Sequence, residues 1–323
     1  MTPDRAGLID WRRLVLATLV GAALLLAPRL LAGSYLLHVF TISLYYVILA
    51  ASWNLLAGFT GQFSLAQQSF AAIGAYASAL LIRYVSVPLY VSMPCGVLLA
   101  AGLGFVLGRM VLKLRAIYLA IATWAFAETV HILLAAAYRI TRGELGLTVP
   151  PLYRNTRPEA YYDTFAALTL ASLVVMYLVT RSPLGYYMRA IRDDELRAES
   201  IGIDTTRVKT WVFTVSSGFA GLAGVFYAHY TLVLSPQMAD FSEMAKIVIM
   251  VVLGGLGSFA GPLIGAPPVQ IVLTYLQKYG EWDMVIFALI VIALMRSATG
   301  GIAELAARLR AALAARRRAR SPR

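Results

Sequence analysis

Between Leu14 and Met295 this chain passes through one apolar stretch after another, each near 20 residues long, joined by short polar connections. No water-soluble core absorbs that many such runs. A bilayer interior about 30 Å thick takes ~20 apolar residues per helix, and approximate spans fall at 14–31, 35–57, 64–82, 88–108, 116–137, 164–180, 210–231, 246–262, 263–277 and 283–295. Charged residues make up only 14% of the 323, with mean hydropathy +0.73, against roughly 25% in soluble domains. Lipid offers the backbone no hydrogen bonds, so spans of this length must be helices. The expectation is an all-α, polytopic membrane protein of about eight to ten transmembrane helices. Some are discontinuous or re-entrant, since the segments near 64–82 and 246–277 are short or broken by glycine.

Orientation follows from the 28 Lys and Arg residues, because cytoplasmic loops hold the excess. With the N-terminus inside, the inner side has three in residues 1–13, three at Arg109, Lys113 and Arg115, six from Arg181 to Lys209 and eight from Arg296 onward. Eight remain for the outer side. The reading is a cytoplasmic N-terminus (1–13), a transmembrane domain (14–295) with a large cytoplasmic loop at 181–209, and a basic cytoplasmic tail (296–323). The net charge of +12 then needs no nucleic acid, since the terminal ARRRARSPR suits anionic lipid headgroups. Residues 5–27 have the charge pattern of a secretory signal, but no small-x-small cleavage site ends the run, and a retained first helix is expected. The lone Cys95 excludes an intrachain disulfide and a multi-cysteine metal site, and reads as a small buried hydrophobe.

Several chemistries are absent. Gly is nowhere followed by Lys, so the chain has no phosphate-binding loop of the G-x-x-x-x-G-K-[ST] kind, and neither H-E-x-x-H nor G-x-S-x-G occurs. His38, His131 and His229 are scattered singly. Nothing marks the chain as an enzyme, and any energy source lies outside it.

The stretch Gly58 to Tyr76, GFTGQFSLAQQSFAAIGAY, places polar groups where lipid forbids them. Such residues usually face protein or a water-filled path, and broken helices at mid-depth expose N–H and C=O groups to a polar ligand. Gly58, Gly61 and Gly74 permit tight turns or close approach, while Gln62, Ser64, Gln67, Gln68, Ser69 and Tyr76 offer neutral hydrogen bonds to a passing solute. Gln62 and Ser69 share a helical face if that helix is continuous. Close helix packing through small residues is the competing account. GGLGSFAGPLIGA, from Gly254 to Ala266, poses the same choice with Gly254, Gly255, Gly257 and Ser258. IGAYASALL follows the first motif and IGAPPVQIVL the second, an echo that would suit an internal repeat with a path at its interface. Glu128, with His131 at i+3, is the only acid well inside a predicted span. It reads as a pathway group or as a carboxyl neutralised by its neighbours, and Thr123 stands one turn before it.

The largest cytoplasmic loop, RSPLGYYMRAIRDDELRAESIGIDTTRVKT from Arg181, predicts about four helical turns from Tyr186 to Ile201. Leu184, Met188, Ile191 and Ala198 form a narrow apolar stripe among charges. That pattern fits a helix laid into a partner's groove, or equally one lying in solvent or headgroups. The loop resembles the coupling loop of ABC importer permeases, with Ala198 and Gly202 in the A-x-x-x-G positions and the acid, Glu195, one residue early. RAIRDDELRAESIGIDTTRVK from Arg189 is similar to LivM-type branched-chain amino acid permeases. So are NLLAGFTGQFSLAQQSFAAIGAY from Asn54, LRAIYLAIATWAFAETVHIL from Leu114 with TRGELGLTVP from Thr141, and VLGGLGSFAGPLIGA from Val252. These cover about residues 45 to 300 in order.

That resemblance implies import through this chain, driven by two ABC ATPase subunits that hold ATP–Mg, with no cofactor in this chain. It also implies a second permease subunit of the LivH type, a periplasmic binding protein meeting the outer loop Tyr138 to Asp163, and residence in the bacterial inner membrane. Met188, Arg189, Ile191, Arg192, Asp193, Glu195, Ala198 and Gly202 would carry the ATPase coupling. Departures occur at Ala66, at Thr123 to Ala127 and at Ala298, where the family more often has Gly, T-L-G-F-G and Pro. The same architecture carries urea, short amides or aromatic acids in relatives, so the cargo is branched-chain amino acids or one of these. From a different class, a secondary transporter or channel would use Glu128 and His131 as a proton relay. The charge asymmetry predicts that reporters fused to either terminus are active only in their cytoplasmic form. A periplasmic C-terminal signal in a fusion assay refutes the orientation.

Overall fold

The computed structural model describes residues 33–282 except 115 and 154–156, with isolated positions as far as 292. The expected first span, the two terminal segments and most of 283–295 lie outside the described residues. The long helices are α1 (Ser34–Asn54), α2 (Gln67–Val85), α3 (Leu89–Val111), α4 (Ala116–Ala136), α5 (Pro158–Arg181) and α8 (Thr205–Thr231). Between α5 and α8 lie α6 (Pro183–Asp193) and α7 (Glu195–Ser200), and α9 (Phe241–Gly254) and α10 (Gly261–Leu276) follow. Two-residue strands, Leu147–Thr148 and Val233–Leu234, pair antiparallel between the outer loops.

Five of these helices are long and apolar enough to cross a membrane: α1 with its extension to Phe59, α3, α4, α5 and α8. The 19-residue α2 opens on Gln67, Gln68 and Ser69. The 14-residue α9 and 16-residue α10 reach only ~21 and ~24 Å at 1.5 Å per residue, short of the bilayer interior. Discontinuous helices therefore stand where the glycine-rich segments predicted them.

Local chemistry sets the boundaries. Asp194, Asp204 and Asp240 accept backbone N–H bonds from Arg197 (3.1 Å), Arg207 (2.9 Å) and Ser242 (2.7 Å), capping α7, α8 and α9, as short acidic side chains do at helix starts. Pro158 and Pro183 occupy first helical positions, where the missing N–H costs nothing. The Asp194 cap corrects the single helix expected from Tyr186 to Ile201. In starting α7, Asp194 adopts extended backbone (φ −162°) and ends α6 at Asp193.

From Ser43 onward α1 is buried all round, with Val47, Ile48, Leu49, Ala50 and Trp53 fully covered, as expected of a helix apolar on every face. It packs on α10, α5, α8 and α9. Beside it, α2, α3 and α8 form a tight trio joined by small residues. A Cβ on Gly224 would lie 1.9 Å from the Ala71 carbonyl oxygen, and one on Gly74 would lie 2.6 Å from that of Gly221. Backbones thus approach closely, the packing lipid-embedded helices favour. By contrast α4 keeps only a stripe at Leu119, Thr123 and Ala127 buried, and exposes Ile117, Ile121, Trp124, Ile132 and Leu133. Cys95 on α3 is also exposed, correcting its reading as a buried hydrophobe.

Gly224→Val should cost at least ~1–3 kcal/mol through overpacking, seen as loss of monodisperse protein in detergent. Gly102→Ala on α3, with open space around its Cβ position, should leave the yield unchanged. Equal behaviour of the two variants refutes close packing of α2 on α8.

Candidate functional site

Both polar, glycine-rich segments are breaks between helices, and the fold brings the breaks together. The first begins where α1 widens into a π-turn, Leu55–Phe59. Thr60 and Gln62 both donate backbone N–H to the Leu56 carbonyl (3.2 and 2.9 Å), Gly61 takes φ +75°, and α2 starts only at Gln67. Gln62 therefore precedes the helix, and the shared helical face expected for Gln62 and Ser69 is not formed. The side chains of Gln67 and Gln68 donate to the hydroxyls of Ser52 (2.6 Å) and Tyr45 (3.0 Å) on α1. α2 therefore starts beside the second half of α1, with no side chain capping its first turn.

The second break, 255–260, joins α9 to α10. Asn54 clasps it by accepting the Gly257 N–H (2.9 Å) and donating to the Ser258 carbonyl (2.8 Å). Gly58 packs beside it, where a Cβ would sit 2.6 Å from the Gly257 nitrogen. From the loop between α5 and α8, the Nη1 of Arg192 on α6 donates to the Gly58 carbonyl at 2.5 Å. Gly58, Gly257, Ser258 and Arg192 are thus one cluster. Gly74 is a packing residue in the helix trio, and Gly254 packs on Gly261.

The remaining polar residues divide by whether they are paired. Gln67 is fully engaged, since it also reaches the Ser216 carbonyl (3.1 Å). Ser64 accepts from the Ala66 N–H (3.3 Å), and its carbonyl accepts from the Trp53 indole (2.7 Å). Thr123 on α4 accepts from the Leu65 N–H (3.0 Å), tying α4 to the first break. Five side chains instead bury polar atoms with no hydrogen-bond partner among the described residues: both amide atoms of Gln62, Gln68 Oε1, Ser69 Oγ, Tyr76 OH and Ser172 Oγ. Gln62 is 4% exposed and Ser69 1%. Each unmatched group costs about 1–3 kcal/mol. Four of the five come from the first predicted motif, and all are neutral, suited to hydrogen-bonding a solute without trapping a counter-ion.

On α6 and α7, Met188, Ile191 and Ala198 are buried against the chain's own core, which corrects the idea that this stripe lies in a partner's groove. The outward surface is instead Tyr186, Tyr187, Leu196 and Ile201, all exposed, with the Arg189 guanidinium 5.0 Å over the Tyr186 ring. Asp193 and Glu195 are exposed, and Gly202 turns the chain at φ +90°. Glu195 forms an ion pair with Lys209 of α8, whose ammonium also donates to the Leu112 carbonyl (3.2 Å).

A profile of the family described as branched-chain amino acid transport system / permease component matches residues 35–295. The chain belongs to this family. It is 34% identical over 284 residues to the high-affinity branched-chain amino acid transport system permease protein LivM of Salmonella typhimurium, covering 79% of this chain and 67% of the relative. LivM of Escherichia coli is 32% identical over 283 residues with the same coverage. LivH of Escherichia coli is 26% identical over 284 residues, covering 79% and 90%. No solved structure matches.

In this permease the ionisable groups sit differently from expectation. The Glu128 side chain is 44% exposed, with His131 Nδ1 4.0 Å away, so the carboxylate is not buried within this chain. It lies on the face of α4 that the other described residues leave uncovered. A second acid was missed. α9 starts at Phe241 rather than near 246, which brings Glu243 and Lys246 inside it. Glu243 accepts from the Tyr46 hydroxyl (2.5 Å) and from Lys246 (2.6 Å), while Tyr45 stacks on Tyr227 nearby. The signal was present in Asp240-x-x-Glu243, a helix-start spacing. Asp240 itself is held below the usual carboxylate range, first by the hydrogen bond from the Ser242 hydroxyl.

Gln62→Leu removes an unmatched amide, so the thermal midpoint in detergent should hold or rise. Gln67→Leu breaks three buried hydrogen bonds and should lower it by about 1–3 kcal/mol equivalent. A larger loss from Gln62→Leu than from Gln67→Leu refutes the division into unpaired and paired residues.

Proposed function

We propose that this permease is one of two transmembrane subunits of an ATP-driven importer for branched-chain or related amino acids. Its place is the bacterial inner membrane, with both termini cytoplasmic. The observation that carries the reading is the set of neutral side chains with unmatched polar atoms, Gln62 just before α2 and Gln68, Ser69 and Tyr76 on it. A fold retains such costs where something else meets the hydrogen bonds, and a solute carrying an ammonium and a carboxylate does so. Thr123, Glu128 and the Gly254 to Ser258 turn complete the path on the same reading.

The uncovered face of α4 supports a second permease subunit. An acid at mid-helix is costly against lipid and is expected to face protein or water, and among the described residues only His131 stands near Glu128. A partner subunit of the LivH type on that face closes a conduit between the two chains. Two ATPase subunits holding ATP–Mg dock on the outward surface of α6 and α7, and a periplasmic binding protein delivers the solute to the loop after α4. ATP reorients the conduit by binding one of its two states better than the other.

The test is reconstitution of the co-purified assembly in vesicles. The importer reading expects leucine or a related amino acid to accumulate only with ATP, and it expects ATP dependence to persist in Glu128→Gln. On the same reading, Gln62→Leu should cut uptake by about tenfold, an ordinary size for a lost polar contact. Accumulation driven by a proton gradient with this chain alone, abolished in Glu128→Gln, overturns it in favour of a secondary transporter.

A further inference from the structure

The cytoplasmic elbow touches the membrane breaks through one side chain. Arg192 is the last residue but one of α6 and is exposed along its stem, yet its Nη1 reaches the Gly58 carbonyl at 2.5 Å. Two glycines make room for it. A Cβ on Gly257 would stand 2.6 Å from that same nitrogen and 3.0 Å from the Gly58 oxygen. A Cβ on Gly61 would touch the Arg192 backbone and stem at 3.6 Å. The guanidinium is therefore wedged where the π-turn of α1 and the break between α9 and α10 meet.

Electrostatics favour the same seat. The last carbonyls of a helix lack intrahelical partners and carry the negative end of its dipole, which draws a cation. The planar fork of Arg suits such a seat better than an ammonium, because its donors are fixed in direction. Asn54 holds the Gly257 N–H and the Ser258 carbonyl, so the second break moves with the end of α1. Met188 and Ile191 seal α6 to the body. Displacing α6 thus pulls on both breaks together.

We propose that Arg192 is the positioning residue that transmits motion of the cytoplasmic elbow to the solute path, by pinning both breaks, and that Asn54 is the clasp that makes them move as one. This rests on the importer reading but assigns Arg192 a target inside this chain rather than on the ATPase. The breaks are the compliant points of the bundle, with glycine at positive φ in each (Gly61 +75°, Gly257 +76°). The tight trio of α2, α3 and α8 stays fixed behind them.

The experiment uses the complete assembly in vesicles and reads solute imported per ATP hydrolysed, alongside subunit stoichiometry and thermal midpoint. Arg192→Gln should keep the ATPase subunits bound and hydrolysis within about twofold, while solute per ATP falls by about tenfold, within the usual range of coupling between sites. Asn54→Ala should move the ratio in the same direction, and Arg192→Lys should restore part of it. If Arg192→Gln does not assemble, Asn54→Ala and Arg192→Lys carry the test.

Unchanged solute per ATP in both Arg192→Gln and Asn54→Ala overturns the proposal. So does loss of the ATPase subunits from Arg192→Gln with normal Asn54→Ala, which would make Arg192 a docking residue. A wild-type assembly with no ATP-dependent uptake overturns the importer reading itself, and is thereby distinguished from failure of the pin.

Discussion

Lipid cannot hydrogen-bond a peptide group, so a helix that breaks inside the membrane must find partners for its freed N–H and C=O groups within the protein. This permease has two such breaks and meets the requirement by setting them against each other. The Asn54 amide supplies an acceptor and a donor to the turn after α9, and the Arg192 guanidinium supplies a donor to the turn after α1. Glycine at positions 58 and 257 is what lets the two backbones meet.

The bundle divides into a part that is locked and a part that is not. Where α2, α3 and α8 meet, glycine replaces any larger residue and the backbones interlock, a geometry that resists sliding because interiors at this density have no room to deform. α4 is held by one narrow stripe and by the Thr123 contact to the first break. Import needs both behaviours. A fixed scaffold defines where the solute passes, and a wall or turn with few contacts can take two positions at low cost.

The unpaired side chains of the first break sit between these parts. Gln67 and Gln68 are adjacent in sequence and identical in chemistry, yet Gln67 is tied to Ser52 and Ser216, whereas Gln68 leaves its carbonyl oxygen unmatched. A hundred-degree step around the helix separates a structural amide from one available to a ligand. The same holds on the cytoplasmic side, where Met188 faces the core and Tyr187 faces out.

Sequence alone determined the class, the spans of the five long apolar helices, the two interruptions and the charged elbow after α5, because hydropathy and glycine content act locally and a bilayer admits few solutions. It also pointed to Gln62, Gln68, Ser69 and Tyr76, which bury polar atoms with no partner among the described residues. Tertiary structure decided how they are used. It turned the apolar stripe of α6 inward, left Glu128 on a face that the other described residues do not cover, brought Glu243 into α9 and ended α6 at Asp193. It alone joined Gly58 to Gly257 across about 200 residues of chain. The physical reason is that periodicity reports which side of a helix is apolar and not what covers it. Contact between distant turns is set by the packing of the whole bundle, which no local pattern encodes.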